Sequence, residues 1–223
     1  MKVGTDGILL GAWCSPCDNA IPFTRILDIG TGTGLIALML AQRNLYAVVD
    51  AIEIDQAACE QAAANFAASP WNARIRTIPG CVRNLRADLK YDLIVSNPPW
   101  FSDSLKSPLQ TRNTARHDDT LNAIDLLDVV NRLLDVQGRF SIVLPSVSSQ
   151  RFIDNAALFG LHCIRHCQVS PTADKLPARC LLEFSGTPPA SQPVPETLIV
   201  ETATRHDYSA EFRDLTRDFY LRF

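Results

Sequence analysis

A glycine-rich loop follows the first strong strand of the sequence and opens a helix. It reads Asp28-Ile29-Gly30-Thr31-Gly32-Thr33-Gly34. Glycines allow a tight turn and a close approach of a ligand to the backbone. A dinucleotide fingerprint needs glycine at its first, third and sixth positions, but the sixth position counted from Gly30 is Leu35. The spacing therefore argues against a dinucleotide as the ligand.

Two carboxylates point to a different ligand. Asp28 stands at the mouth of the loop, where it would repel a pyrophosphate and attract an ammonium group. Glu53 ends the next predicted strand, where a carboxylate can bind both hydroxyls of a ribose. S-adenosylmethionine carries an ammonium, a sulfonium and a ribose, and no phosphate. The predicted cofactor-binding residues are therefore Asp28, Gly30, Gly32, Gly34 and Glu53. Capping of the following helix is the alternative for Glu53, and also for Asp55.

A second motif, Asn97-Pro98-Pro99-Trp100, ends the fourth predicted strand. The prolines stiffen the backbone, so the Asn97 side-chain oxygen and the Pro98 carbonyl could accept the two N–H groups of a planar exocyclic amine. Such acceptors would orient the nitrogen lone pair towards a sulfonium methyl group. Trp100 would stack on a flipped base. A rigid loop around a packed tryptophan is the structural alternative.

The elements that must position these motifs alternate between strands and helices, which indicates an α/β fold with a mostly parallel sheet covered on both faces. Strands are predicted at 25–29, 47–54, 74–78, 91–96, 139–144, 162–169 and 179–184, with an edge strand at 198–202. Helices are predicted at 33–43, 56–68, 121–134, 146–159 and 208–220. The last two of the seven strands lack a helix between them, so they should form an antiparallel edge pair. One domain, 1–223, with a Pro-rich surface loop at 185–197, is expected.

Composition limits the functional class. The chain has 223 residues and a net charge of −3, which argues against non-specific binding of nucleic acid. It has neither an apolar run of about 20 residues nor an apolar signal segment at its start. We therefore expect a cytoplasmic protein without membrane contact.

Seven cysteines raise two other possibilities. Cys14-Ser15-Pro16-Cys17 imitates a thioredoxin-like redox motif, but Pro22 would break the long helix that must follow it. His162-Cys163 and His166-Cys167 could suggest zinc, yet on a strand the histidines and the cysteines face opposite sides. No metal site is predicted, and reduced, buried thiols are expected.

The chain resembles the class I S-adenosylmethionine-dependent methyltransferases, in which Asn-Pro-Pro-aromatic marks enzymes that methylate amino groups. It is more closely similar to the bacterial valine-tRNA adenine-N6 methyltransferases. The segments that carry this likeness are Lys2 to Trp13, Thr111-Arg112-Asn113-Thr114-Ala115-Arg116, Leu176-Pro177-Ala178-Arg179 and Asp218-Phe219-Tyr220-Leu221. The resemblance implies a single-domain Rossmann-like methyltransferase fold and N6-methylation of adenosine 37, beside the anticodon. It also implies that this chain begins inside the family's opening motif.

The same resemblance suggests further site residues. Thr5 and Asp6 would approach the amino-acid end of the cofactor, with capping of the first helix as their alternative. Backbone groups at Cys81 and Val82 would contact the adenine, where the wider class often has an aspartate. The candidates for tRNA phosphate contacts are Arg112, Arg116, Lys175 and Arg179. Valine tRNA is the implied partner, with no obligate protein partner.

Three other functions stay open from the sequence. Release-factor glutamine methyltransferases share Asn-Pro-Pro-aromatic but normally carry an N-terminal helical domain. Ribosomal guanine-N2 methyltransferases share it as well, usually with a duplicated domain. A cofactor-binding module that is inactive without a partner is the non-enzymatic alternative.

Overall fold

A computed structural model describes residues 4–15, 17–18, 21–86, 88–99, 121–204 and 206–220. Its helices are α1 (Thr5–Trp13), α2 (Leu35–Arg43), α3 (Gln56–Ala67), α4 (Ala123–Leu133), α5 (Ser149–Leu158) and α6 (Ala210–Thr216). Its strands are β1 (Cys17–Asp18), β2 (Ile21–Pro22), β3 (Arg25–Ile29), β4 (Val48–Glu53), β5 (Ile75–Pro79), β6 (Tyr91–Ser96), β7 (Leu134–Pro145), β8 (His162–Ser170), β9 (Arg179–Ser185) and β10 (Glu196–Ile199). The predicted elements from residue 25 onwards are all present; β3 and β6 have the predicted bounds, and the others have shifted ends.

The large sheet has the order β10-β8-β9-β7-β6-β3-β4-β5. The chain leaves β3 towards β4 and β5, then returns to β6 on the other side of β3, and these strands are parallel. Their carboxyl ends therefore meet at one edge of the sheet, which we call the ligand edge. The strand order reverses between β3 and β6. A reversal of this kind opens the crevice in which doubly wound folds bind ligands.

The antiparallel pairing of the two late strands is confirmed, because β9 runs against β8 and also against β7. The edge strand predicted at 198–202 forms slightly earlier, as β10, and it pairs parallel to β8. The seven predicted strands and this addition give an eight-stranded sheet.

Helices cover both faces of this sheet, as predicted. One apolar cluster joins side chains of α1, α2, α3 and α6 to one face, including Leu10, Leu40, Phe66 and Phe212. The other cluster joins α4 and α5 to the opposite face. No helix among the described residues is long and apolar enough to cross a membrane.

One helix boundary differs from its prediction. We expect the 121–134 helix to end near Gly138, but α4 ends at Leu133 and β7 begins at the next residue. Gly138 lies inside β7, where an added Cβ would come within 2.9 Å of the Tyr91 carbonyl oxygen. The glycine therefore permits a close strand contact and does not close the helix.

Helix α1 is fixed to the sheet at its carboxyl end. The Arg165 guanidinium lies 4.1 Å from the centroid of the Trp13 ring and pairs with Glu196. Arg43 donates hydrogen bonds to the carbonyl oxygens of Gly11 and Cys14, which a C-terminal helix end leaves unpaired. These contacts fix the carboxyl end of α1 against α2 and β8.

Candidate active site

The loop between β3 and α2 has the backbone of a ligand cradle. Gly30, Gly32 and Gly34 have φ angles of 70°, 57° and 87°, a left-handed conformation that favours glycine. The N–H groups of Gly30 and Thr31 both donate to the carbonyl oxygen of Ile52, at 2.9 and 3.1 Å. The loop is therefore tied to the end of β4.

Gly34 is also required for packing. A Cβ at this position would lie 2.3 Å from a ring carbon of Phe66, which belongs to α3. The start of α2 can approach α3 this closely only without a side chain. The glycine loop is thus hydrogen-bonded to the end of β4 and packed against α3.

Glu53 fixes the same loop through its side chain. One carboxylate oxygen accepts the N–H of Gly32 at 2.8 Å, and the other accepts those of Ile54 and Asp55 at 2.9 and 3.0 Å. The capping alternative belongs to Asp55, whose side chain accepts the Ala58 N–H at 2.7 Å as the N-cap of α3. A carboxylate has about four acceptor positions, and three of them are taken by these N–H groups, so Glu53 retains capacity for about one ribose hydroxyl.

Asp28 lies deeper than its sequence position indicates. Its side chain is 0% exposed, and one carboxylate oxygen accepts the Thr31 hydroxyl at 2.6 Å. The other oxygen, Oδ1, is buried without a hydrogen-bond partner. Burial raises the pKa of this carboxyl to about 7, against the lowering effect of the Thr31 hydrogen bond, and Glu53 raises it further. The carboxylate is therefore buried beneath the loop and does not stand at its mouth, where the sequence predicts it.

The raised pKa predicts that Asp28→Asn stabilises the ligand-free protein. A carboxyl with a folded-state pKa of about 7 and an ordinary value of 3.8 adds stability below pH 4, and that stability is lost as the pH rises through 7. At pH 8 the variant should melt at least about 4 °C above the wild type, since 1 kcal/mol corresponds to about 2–4 °C at this size.

Thermal unfolding at pH 5 and pH 8 checks this expectation. The gain in melting temperature should shrink at pH 5, where the wild-type carboxyl is mostly protonated. Asp88→Asn, which alters an exposed carboxylate paired with Arg86 at 3.3 Å, is the control. A variant less stable than the wild type at pH 8 would show that ionised Asp28 supports the fold.

The segment after β5 supplies the next wall of the crevice. The N–H of Gly80 donates to the Glu53 carbonyl oxygen at 2.8 Å. Cys81 precedes a short 3₁₀ helix and is partly exposed, whereas Val82 is buried. Both residues are thus at the ligand edge, beside Glu53.

The Asn97-Pro98-Pro99 segment leaves the sheet at the same edge. The Ser96 hydroxyl, at the end of β6, donates to the Ile29 carbonyl oxygen at 3.0 Å and so joins this strand end to the glycine loop. Asn97 and Pro98 are partly exposed, and Pro99 is exposed. Trp100, together with Arg112 and Arg116, lies outside the described residues.

The first turn of α1 lies against Asn97. An added Cβ at Gly7 would be 3.9 Å from the Asn97 side-chain nitrogen, an ordinary contact distance. The capping alternative for Thr5 and Asp6 is wrong, because the N-cap of α1 is Gly4 and no side chain caps it. The first turn of α1 therefore belongs to the surroundings of the acceptor motif.

Asp6 pairs with Arg179, one of the residues predicted to contact tRNA phosphates. The Arg179 Nε donates to an Asp6 carboxylate oxygen at 2.8 Å. Because β9 is antiparallel, its first residue lies at the edge where the parallel strands end. Two segments that carry the family resemblance thus meet through this ion pair. Lys175 is exposed, 3.8 Å from a carboxylate oxygen of Asp174.

Sequence reasoning missed two hydroxyl groups. Thr31 holds the buried carboxylate of Asp28, and Ser96 joins the ends of β3 and β6. The signal for Thr31 was its position three residues after an aspartate at a strand end. Ser96 carried no signal, because its partner is a backbone carbonyl of a strand that is 67 residues away in the sequence.

Cys14, the first cysteine of the pair that imitates a redox motif, is poorly suited to thiol chemistry. Cys14 is buried at the end of α1, and burial raises the pKa of its thiol to about 12. At neutral pH almost none of it is the nucleophilic thiolate. Burial likewise raises the pKa of Cys167 to about 12.

Known structures share this architecture. A predicted O-methyltransferase from Agrobacterium tumefaciens aligns with a TM-score of 0.71 at 20% identity, covering 96% of each chain. A glycopeptide N-methyltransferase in complex with S-adenosylmethionine aligns with a TM-score of 0.57 at 12% identity, covering 81% of this chain and 94% of its own. The sheet order and its crevice define the class of Rossmann-like methyltransferases.

Sequence comparisons give the family. The profile described as "Methyltransferase small domain" matches residues 16–152. The "tRNA1(Val) (adenine(37)-N6)-methyltransferase" of Parabacteroides distasonis is 50% identical over 100% of this chain and 92% of its own length. Relatives with the same name in Bacteroides fragilis and Photobacterium profundum are 47% and 40% identical, again over 100% of this chain and 92% of their own lengths. The chain belongs to the methyltransferase small domain family, it is an enzyme, and S-adenosylmethionine is its cofactor.

The residues at the ligand edge fit this cofactor. The left-handed glycines leave the backbone of the loop open to a ligand, and an added Cβ at Gly30 would meet nothing within 4 Å. In its ionised form the Asp28 carboxylate, whose Oδ1 has no hydrogen-bond partner, adds negative charge beside the crevice, which suits a ligand with an ammonium and a sulfonium.

Proposed function

We propose that this enzyme methylates N6 of adenosine 37 in valine tRNA. The observation that carries the proposal is the likeness, over the full length of this chain, to several relatives that share one name for this activity. The position of Asn97-Pro98-Pro99 beside the glycine loop supports an amino group as the acceptor.

The chemistry asked of the protein is mainly orientation. The amine of adenine is a poor nucleophile because its lone pair is delocalised into the ring. The Asn97 side-chain oxygen and the Pro98 carbonyl accept its two N–H groups and stabilise the positive charge that develops on nitrogen. When bound, S-adenosylmethionine supplies the electrophilic methyl group. No strong general base is needed, because the product ammonium loses its proton readily to water.

The cofactor is held by residues from three neighbouring strand ends and from α1. Glu53 binds a ribose hydroxyl, and backbone groups at Cys81 and Val82 contact the adenine. Thr5 and Asp6 face the amino-acid end. The remaining contacts come from Asp28, Gly30, Gly32 and Gly34.

The tRNA is bound by base stacking and by arginines. Trp100 stacks on the flipped adenine, and the phosphate contacts come from Arg112, Arg116, Lys175 and Arg179. Since the net charge is −3, binding rests on a local cluster and should be sensitive to salt. We expect the enzyme to work in the cytoplasm without an obligate protein partner.

Methyl transfer to tRNA tests the proposal. Purified protein and labelled S-adenosylmethionine are incubated with total tRNA from a strain that lacks the gene, and the tRNA is digested and analysed by mass spectrometry. N6-methyladenosine beside the valine anticodon is the expected product. Parallel reactions contain a release factor or ribosomal RNA, and label on protein glutamine or on ribosomal guanine instead of tRNA would overturn the proposed substrate. Cofactor binding without turnover on any of these would indicate a binding module.

A further inference from the structure

A groove adjoins the acceptor motif on the side of α4 and α5. It has a volume of about 470 Å³, and its lining includes Pro98 and Pro99, the start of α4, and the exposed side of α5. Sites for small molecules typically have volumes of about 300–1,000 Å³. The groove is thus large enough for a group beyond the one that Asn97 holds.

The lining of the groove combines apolar and polar surface. Leu126 and Phe152 are buried, and Ile124, 46% exposed, adds an apolar wall. Ser148 and Asn155 add groups that can form hydrogen bonds. A flat apolar surface with a few polar groups suits a nucleobase, which has an apolar face and a polar edge.

Charge also favours a nucleotide. Asp125 lines the groove, but its carboxylate is paired with Arg83 at 2.6 Å, which offsets its negative charge. Among the described residues of the lining, Arg151 carries the only positive charge, and it is exposed on α5. A guanidinium binds a phosphate through two parallel hydrogen bonds.

We infer that the groove binds the nucleotide next to the target adenosine in the RNA strand, with Arg151 contacting its phosphate. The inference rests on the proposed function, since a flipped adenine at Asn97 requires its neighbours in the strand to cross the adjoining surface. The sequence did not single out Arg151, because an exposed helical arginine carries no signal without the groove beside it.

Binding of a labelled RNA hairpin tests this assignment. The probe carries the valine anticodon loop, and fluorescence anisotropy gives its Kd in the presence of S-adenosylhomocysteine. Arg151→Ala should weaken binding by about tenfold, the effect of one lost charge-assisted hydrogen bond. It should also reduce the slope of log K against log salt by about 0.7–1. Arg86→Ala, whose side chain is 83% exposed and does not line the groove, is the matched control.

Neutral phosphates locate the contact. The hairpin is prepared with a methylphosphonate at each position beside adenosine 37 in turn. At the contacted position, Arg151→Ala should have no further effect, since the two changes remove the same interaction. A loss that persists on every such hairpin would contradict the phosphate contact.

Failure of the inference and failure of the proposed function can be separated. If the wild type methylates the hairpin and Arg151→Ala binds it as tightly as Arg86→Ala does, only the inference is overturned. If the wild type neither binds nor methylates the hairpin, both are overturned. Melting temperature and the Kd for S-adenosylmethionine should match the wild type, which excludes a folding defect.

Discussion

Replacing Asn97 by alanine is expected to abolish most methyl transfer while leaving the affinity for S-adenosylmethionine nearly unchanged. The side-chain oxygen is needed when positive charge develops on the acceptor nitrogen, and the cofactor contacts lie on other strand ends. Loss of one preorganised polar group at a transition state typically lowers kcat by about 10²–10³. Single-turnover rates and calorimetric titration of the cofactor measure the two quantities separately.

Two further variants sharpen the Asn97 experiment. Asn97→Asp keeps an acceptor oxygen, so it should retain more activity than Asn97→Ala. Asn72→Ala removes an exposed amide just before β5, at the opposite edge of the sheet, and should behave like the wild type. Equal losses of turnover and cofactor affinity in Asn97→Ala would contradict the role assigned to it.

The strand and helix pattern predicted most of the fold because its signals are local. Alternating apolar segments located the strands, and Tyr91–Ser96 matched its predicted bounds. The end of α4 could not be predicted this way. Gly138 looks like a helix terminator in sequence, but it lies inside β7, where the Tyr91 carbonyl of the neighbouring strand leaves no room for a side chain. The antiparallel placement of β9 between β7 and β8 also depends on long-range pairing.

The candidate site was predicted to a similar degree. Motifs that follow a strand lie at one edge of the sheet, because parallel strands bring their carboxyl ends together. The depth of a side chain could not be predicted: Asp28 appeared to face the ligand, but the loop covers it. The ion pair of Asp6 and Arg179 joins residues that are 173 positions apart, and no local sequence pattern predicts it.

Burial of Asp28 also implies a conflict between stability and function. An ionised carboxylate with an unpartnered oxygen costs free energy in the ligand-free fold. The same charge favours a cationic ligand, and perturbed carboxylates of this kind cluster at functional sites. The raised melting temperature expected for Asp28→Asn should therefore accompany weaker cofactor binding.

The largest loss of cofactor affinity is expected for Glu53→Ala. This change removes the acceptor for the N–H groups of Gly32, Ile54 and Asp55, as well as the partner proposed for the ribose. A hydrogen bond to a charged group contributes about 1.5–3 kcal/mol, so the loss of one ribose contact should raise the Kd about 10- to 100-fold. Glu53→Gln keeps one acceptor oxygen and should fall between this variant and the wild type.

Calorimetry with two ligands separates the two roles of Glu53. S-adenosylhomocysteine is compared with its analogue that lacks both ribose hydroxyls. If Glu53 binds one of those hydroxyls, Glu53→Ala should weaken the first ligand much more than the second, as expected when two changes remove one interaction. Glu60→Ala, which alters an exposed carboxylate of α3 paired with Gln56 at 2.7 Å, is the control. Equal weakening of both ligands would mean that Glu53 acts only by holding the glycine loop.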